Sequence, residues 1–198
     1  MYTLLKPLLV QEELLKKKLF IFTPRGFERV FNLPKYKAKY FLERQSEEGL
    51  FLRLKKGLYA LKNNPLSEEE LANRLYQPSY ISFEYALASY SMLPEMPYMI
   101  TSATPKPTRI FSINNKTFSY STIKKEAYTG YKLIKRGSAS FFIAEPEKAL
   151  VDFLYFVVLK KKPHNDRLKI SSLQKGKIMQ YAKLYQKEML IRLIKDLL

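Results

Sequence analysis

A chain of 198 residues, 46% of them apolar and 14% aromatic, has room for one large domain or two small ones with real cores. It has no cysteine, which excludes a disulfide framework, a thiolate zinc site and a thiol nucleophile. Its net charge of +17 is unevenly spread: residues 1–62 hold 14 Lys/Arg against 6 Asp/Glu, residues 63–158 hold 10 against 9, and residues 159–198 hold 11 against 3. A nearly neutral middle between two basic ends predicts polyanion-facing surfaces at both ends.

The first segment, MYTLLKPLLVQEELLKKK, has no small-residue cleavage site and carries Glu12 and Glu13. It reads as a helix and not as a signal peptide. Leu8, Leu15 and Leu19 share one stripe, which predicts a first helix over Pro7 to Lys18. Leu19 to Phe22 reads as a short strand able to join a later hairpin. The longest apolar run, Ala149 to Leu159, is far short of the ~20 residues a membrane span needs, and it contains Asp152. The expectation is a cytoplasmic chain with no membrane partner.

Thr23 to Leu61 is the most organised stretch. Thr23-Pro24 is a helix start, a hydroxyl cap followed by proline at the first helical position, and the helix should run to about Phe31. Asn32-Leu33-Pro34 interrupts it, because a residue before proline leaves helical geometry. A second helix follows from Pro34 to about Glu48 and stops at Gly49. Leu50 to Leu54 and Leu58 to Leu61 read as two strands, joined by Lys55-Lys56-Gly57 as a three-residue hairpin loop. Helix, turn, helix and a hairpin with a cationic tip predict a winged helix-turn-helix that binds double-stranded DNA.

Charge order on the second helix supports that reading. With Ala38 at the centre of the buried face, Phe41, Leu42 and Gln45 fall beside it, while Tyr36 and Tyr40 point away, flanked by Lys37 and Lys39. Lys35, Lys37 and Lys39 come early; Glu43, Glu47 and Glu48 come late. This opposes the helix dipole, which favours acids first by roughly 0.3–1 kcal/mol per charge. A local rule broken without local compensation points to function, and in helix-turn-helix docking the start of the second helix meets the base edges. The plainer alternative is a solvated lysine face. The candidate DNA contacts are Arg25, Asn32, Lys35, Tyr36, Lys37, Lys39, Tyr40, Arg53, Lys55 and Lys56.

Asn63-Asn64-Pro65 reads as a linker. Ser67 with Glu70 three residues on forms a capping box, continued by Leu71, Ala72 and Leu75. A helix is predicted from about Ser82 to Tyr90, with Phe83, Ala86, Leu87 and Tyr90 on one side. Strands follow at roughly Tyr98 to Ser102, Arg109 to Ser112, Thr117 to Tyr120, Tyr131 to Ile134 and Ser138 to Ala144, with turns at Asn114-Asn115 and Arg136-Gly137. Glu145-Pro146 starts a helix that continues to about Leu159. The basic tail after Pro163-His164-Asn165-Asp166 is helical, with Ile178, Ala182, Tyr185, Met189 and Leu193 as its apolar stripe.

Several segments taken in order are more telling than the helices alone. They are PSYISFEYALASYSMLPE from Pro78 to Glu95, Ile100-Thr101 with Thr104, Phe118-Ser119-Tyr120, Thr129-Gly130-Tyr131, and IAEPEKALVD from Ile143 to Asp152. Behind a winged helix, these segments resemble the AbiEi family of antitoxins of type IV toxin–antitoxin systems, over about residues 20–160. The resemblance implies a repressor of its own operon that binds inverted repeats at the promoter. It also implies a C-terminal domain that counteracts a nucleotidyltransferase toxin encoded beside it, without a tight complex. The tail beyond Lys160 has no counterpart in the resemblance.

Two other classes compete with this reading. One is a solitary winged-helix transcription factor whose second domain senses a ligand or partner. The other is a metal-dependent nuclease using Glu145, Glu147 and Asp152, with Lys148 beside them. Against it, Glu147 suits a helix N-terminus, and Lys148 and Asp152, four apart on one helix face, suit each other. The single histidine, His164, lacks neighbours of metal-ligand type, so no metal or cofactor is expected. The sequence therefore predicts a non-enzymatic α+β protein, with a winged helix-turn-helix over residues 1–62. A mixed α/β C-terminal domain with a basic helical tail is expected over residues 67–198.

Overall fold

The structure, a computed structural model, describes residues 5–64 and 66–198. Residues 1–4, ahead of the expected first helix, and Pro65, the end of the expected linker, lie outside the described residues. The fold is mixed α+β, with eight α-helices and two sheets among the described residues. The chain divides into two compact units, residues 1–67 and residues 68–198. No helix among the described residues is long and apolar enough to cross a membrane.

The first unit contains α1 (Pro7–Lys16), β1 (Ile21–Phe22), α2 (Pro24–Phe31), α3 (Lys35–Glu47), β2 (Phe51–Lys55) and β3 (Leu58–Leu61). The three strands form an antiparallel sheet in the order β1-β3-β2. Thr23 caps α2 as its sequence predicts, its Oγ1 accepting from the Gly26 N–H at 3.1 Å. Asn32 ends α2 in the left-handed region at φ 49°, a conformation that asparagine adopts more readily than most residues. Phe22, Phe27, Ala38, Leu42, Phe51 and Tyr59 form the core. Phe51 meets Phe22 and Phe27 edge-on at 5.3 and 6.1 Å between centroids.

Two expectations in this unit are corrected. The Leu8–Leu15 face of α1 points outward, and Val10 and Leu14, four apart, enter the core instead. The helix is apolar on more than one face, so periodicity alone does not choose the buried one. Leu19 packs against the core from beyond the helix end. The hairpin loop is also shorter than expected, because Lys55 belongs to β2 and pairs with Leu58, leaving Lys56-Gly57 as the turn. A register shift between Arg53 and Lys55 breaks the strand alternation, so Phe51 and Leu54 are both buried.

The second unit contains α4 (Glu68–Leu75), β4 (Tyr80–Ile81), α5 (Phe83–Ser89), β5 (Ile100–Thr104), β6 (Arg109–Ile113) and β7 (Lys116–Thr122). It continues with β8 (Tyr131–Arg136), β9 (Ala139–Ala144), α6 (Pro146–Val158), α7 (Lys175–Leu184) and α8 (Glu188–Leu197). Its six strands form one mixed sheet in the order β6-β7-β5-β4-β9-β8. Left-handed Asn114 and Asn115 and Gly137 supply the two hairpin turns. The strand β4 was not expected from the sequence, yet it joins the two halves of the sheet, antiparallel to β5 and parallel to β9. Beside the short β4, the buried Asn73 amide accepts from the Phe142 N–H of β9 and donates to its carbonyl.

The tail is not one continuous stripe. Gln186, left-handed at φ 48°, separates α7 from α8 and shifts the helical phase by one residue. Ile178, Ala182 and Tyr185 are buried as expected, but Leu190 and Ile194 take the places foreseen for Met189 and Leu193. Met189 is exposed.

Candidate nucleic-acid interface

Helix α3 begins at Pro34, which offers no capping side chain, and its first turn holds no acid. Its buried side is Ala38, Leu42 and Gln45, so Tyr36 and Tyr40 are forced outward, 68% and 66% exposed. Lys35 and Lys39 are exposed beside them. Lys39 approaches Glu43 at 3.9 Å, an exposed pair of little energetic consequence. The first half of α3 thus presents two phenols and a cluster of ammonium groups next to the positive end of the helix dipole. The acids lie in the second half.

Five of the ten candidate residues therefore share one helix. Lys37 is half-buried with its Nζ 6.0 Å from the Tyr36 ring centre, so it supports that tyrosine as well as adding charge. Arg25 is exposed in the first turn of α2, and Asn32 is exposed at the turn between α2 and α3. Arg53 is exposed on β2 and Lys56 at the hairpin turn. Lys55 differs from its expected place: it is half-buried within the strand and is not part of the tip. Among the described residues Arg25, Lys35, Arg53 and Lys56 have no ion-pair partner.

One residue beside this candidate face was not among those expected. Arg44 follows Tyr36 and Tyr40 at four-residue spacing, and helical period alone would have found it. It donates to Glu48 at 2.7 Å. Hydrogen bonds from Arg44 and Gln45 hold the Glu48 carboxyl below its usual range. Tyr36, Tyr40, Phe41 and Arg44 line an open, largely apolar groove of about 710 Å³ together with Leu5 and Pro7.

The carboxylates weighed for catalysis are dispersed. Glu145 precedes α6 and accepts from the Tyr181 hydroxyl at 2.9 Å, with Lys177 at 3.6 Å. Glu147 is buried and accepts from the Gln174 N–H at 3.3 Å. Asp152 is fully buried; it pairs with Lys148 and accepts from the hydroxyls of Ser82 (2.7 Å), Tyr80 (2.9 Å) and Tyr185 (2.5 Å). Burial lowers the Lys148 pKa against the opposing pull of Asp152. Burial, reinforced by Asp152, pushes the Tyr80 and Tyr185 phenols well above their ordinary value. This network fastens α7 and β4 to α6. It offers solvent no carboxylate oxygen on Asp152.

His164 lies 3.5 Å from Asp166 in an exposed turn. Among the described residues no three His, Asp or Glu side chains gather into a group that could hold a metal ion. Comparison of the chain with protein-family models and with curated proteins gives no match.

Proposed function

We propose that the first unit is a winged helix-turn-helix that binds double-stranded DNA, with α3 as the recognition helix and the β2–β3 hairpin as the wing. The observation that carries this reading is the outward half of α3, where Lys35, Tyr36, Lys39 and Tyr40 stand free of the core and the acids are kept to the other half. Tyrosine brings a hydroxyl and a flat apolar face, and lysine donates to guanine acceptors in the major groove. Arg25, Asn32, Arg53 and Lys56 are assigned to phosphates, which position the domain without reading sequence.

The second unit, under the same proposal, belongs to an AbiEi-type antitoxin that represses its own operon and counteracts a nucleotidyltransferase toxin. That part rests on the segments Pro78–Glu95 and Ile143–Asp152. Footprinting on the DNA upstream of the chain's own gene tests the regulator. Protection of inverted repeats is expected, and protection no different from random duplex would refute it. Co-expression with a nucleotidyltransferase encoded beside the gene tests the antitoxin, with rescue of growth as the expected result.

A further inference from the structure

The strand β8, sequence YKLIKR, ends the six-stranded sheet and, among the described residues, pairs only with β9. The direction of its free hydrogen-bonding groups follows from two contacts. Glu145 N–H donates to the Gly130 carbonyl at 2.8 Å, which sets the phase of the antiparallel ladder: residue 130 and every second residue after it face β9. Residues 132, 134 and 136 are thereby bonded to β9, while Tyr131, Leu133 and Lys135 aim their N–H and C=O groups away from it. The Asn73 contact agrees, because Phe142, the partner of Leu133, turns its own backbone groups away from β8 to meet that amide.

Both faces of this edge are prepared for side chains. On one face Leu133 and its cross-strand partner Phe142 are 48% and 41% exposed. On the other, a cleft of about 260 Å³ is lined by Ile134, Phe141, Tyr85 and Tyr90 together with the charged Lys132, Arg136 and Glu69. The strand holds three cations and no acid. Lys135 and Lys132 have no ion-pair partner among the described residues, and Arg136 is 3.7 Å from Glu69.

We infer that β8 is a docking edge for an extended acidic segment of a protein partner, which adds as a seventh strand. Its backbone bonds to Leu133 and Lys135, an apolar side chain enters the cleft, and its carboxylates meet Lys132, Lys135 and Arg136. Strand addition draws affinity from the main chain and specificity from the alternating side chains. A second copy of β8 is the wrong occupant, since self-pairing sets side by side two strands that each carry three cations and no acid. Cations on an edge strand deter self-association; the same cations select an acidic strand.

The probe is a capped hexapeptide of alternating glutamate and valine, titrated into the isotope-labelled full chain and followed by amide exchange. Exchange at Leu133 and Lys135 is expected to slow about tenfold or more, without such slowing for a lysine–valine peptide of the same pattern. Leu133→Pro removes one outward N–H and spares the β9 ladder, a position where an edge strand tolerates proline. It is expected to weaken the acidic peptide about tenfold, equivalent to roughly 1.4 kcal/mol. Should that variant melt early, a peptide N-methylated at every residue is the substitute and must fail to bind. Absence of protection at saturating peptide would overturn the inference. So would equal binding by the basic peptide, or binding of N-methylated peptide as tight as that of the parent, which marks a charge contact alone. An oligothymidylate that protects the same amides equally well would assign the edge to nucleic acid and overturn it too.

Discussion

Tyr36 carries the sharpest consequence of the proposed reading. It is largely exposed on α3, so truncation removes no core contact of consequence. Tyr36→Ala is expected to cost roughly 1–3 kcal/mol of binding to the promoter, the scale of a base-reading contact, with random duplex bound as before. Its melting temperature should stay close to that of the parent chain; a clear drop would show that Tyr36 has a packing role in the groove beside Leu5 and Pro7. Buried tyrosines make a separate prediction about stability. Burial pushes Tyr90 up to about 12, and raises Tyr80, Tyr120 and Tyr185 well above the ordinary value. The unfolded chain ionises its phenols near the ordinary value of about 10, whereas the folded chain keeps them neutral, so the unfolded state binds fewer protons above that pH. Stability is therefore intact below about pH 10 and falls as pH rises past it. Lys148, whose pKa is lowered, pulls the opposite way, but it is one group against several. Chemical denaturation between neutral pH and the alkaline range checks the sign, and stability that rises across that interval contradicts the assignment.

At the scale of elements, what was legible in the sequence is what helical period and turn chemistry dictate. Thr23-Pro24 begins α2, Asn32 ends it, and the outward tyrosines of α3 follow from placing Ala38 and Leu42 inside. Elements set by tertiary pairing were not legible. The two residues of β4 sit inside SYISFEY with no alternation to mark them, and only their pairing with β5 and β9 makes them a strand. The inner face of α1 was misread because leucines lie on both sides of it. The bulge in β2 and the left-handed Gln186 are single-residue events that shift everything after them by one position. The hairpin correction alters an experiment as well, since Lys56 alone stands at the turn. Lys56→Ala is expected to weaken promoter and random duplex alike and to lower the salt slope by about one, the signature of a lost phosphate contact. An unchanged slope would remove the hairpin from the interface.

For the molecule as a whole, the charge and the two compact units separate two questions that a simple binding assay would merge. A chain of net charge +17 will hold any duplex at low salt, so affinity alone says nothing about reading. The second unit has its own sheet, its own buried Asp152 network and a tail fastened by Tyr185, so residues 67–198 are expected to fold without the first unit. The decisive measurement is competition between the chain's own promoter duplex and a random duplex at physiological salt, for the full chain and for residues 67–198. The full chain is predicted to prefer its promoter by about a thousandfold or more, as specific readers do, and the fragment to show no preference. Equal affinity of the full chain for both duplexes, or a preference retained by the fragment, would contradict the assignment of α3 as the element that reads DNA.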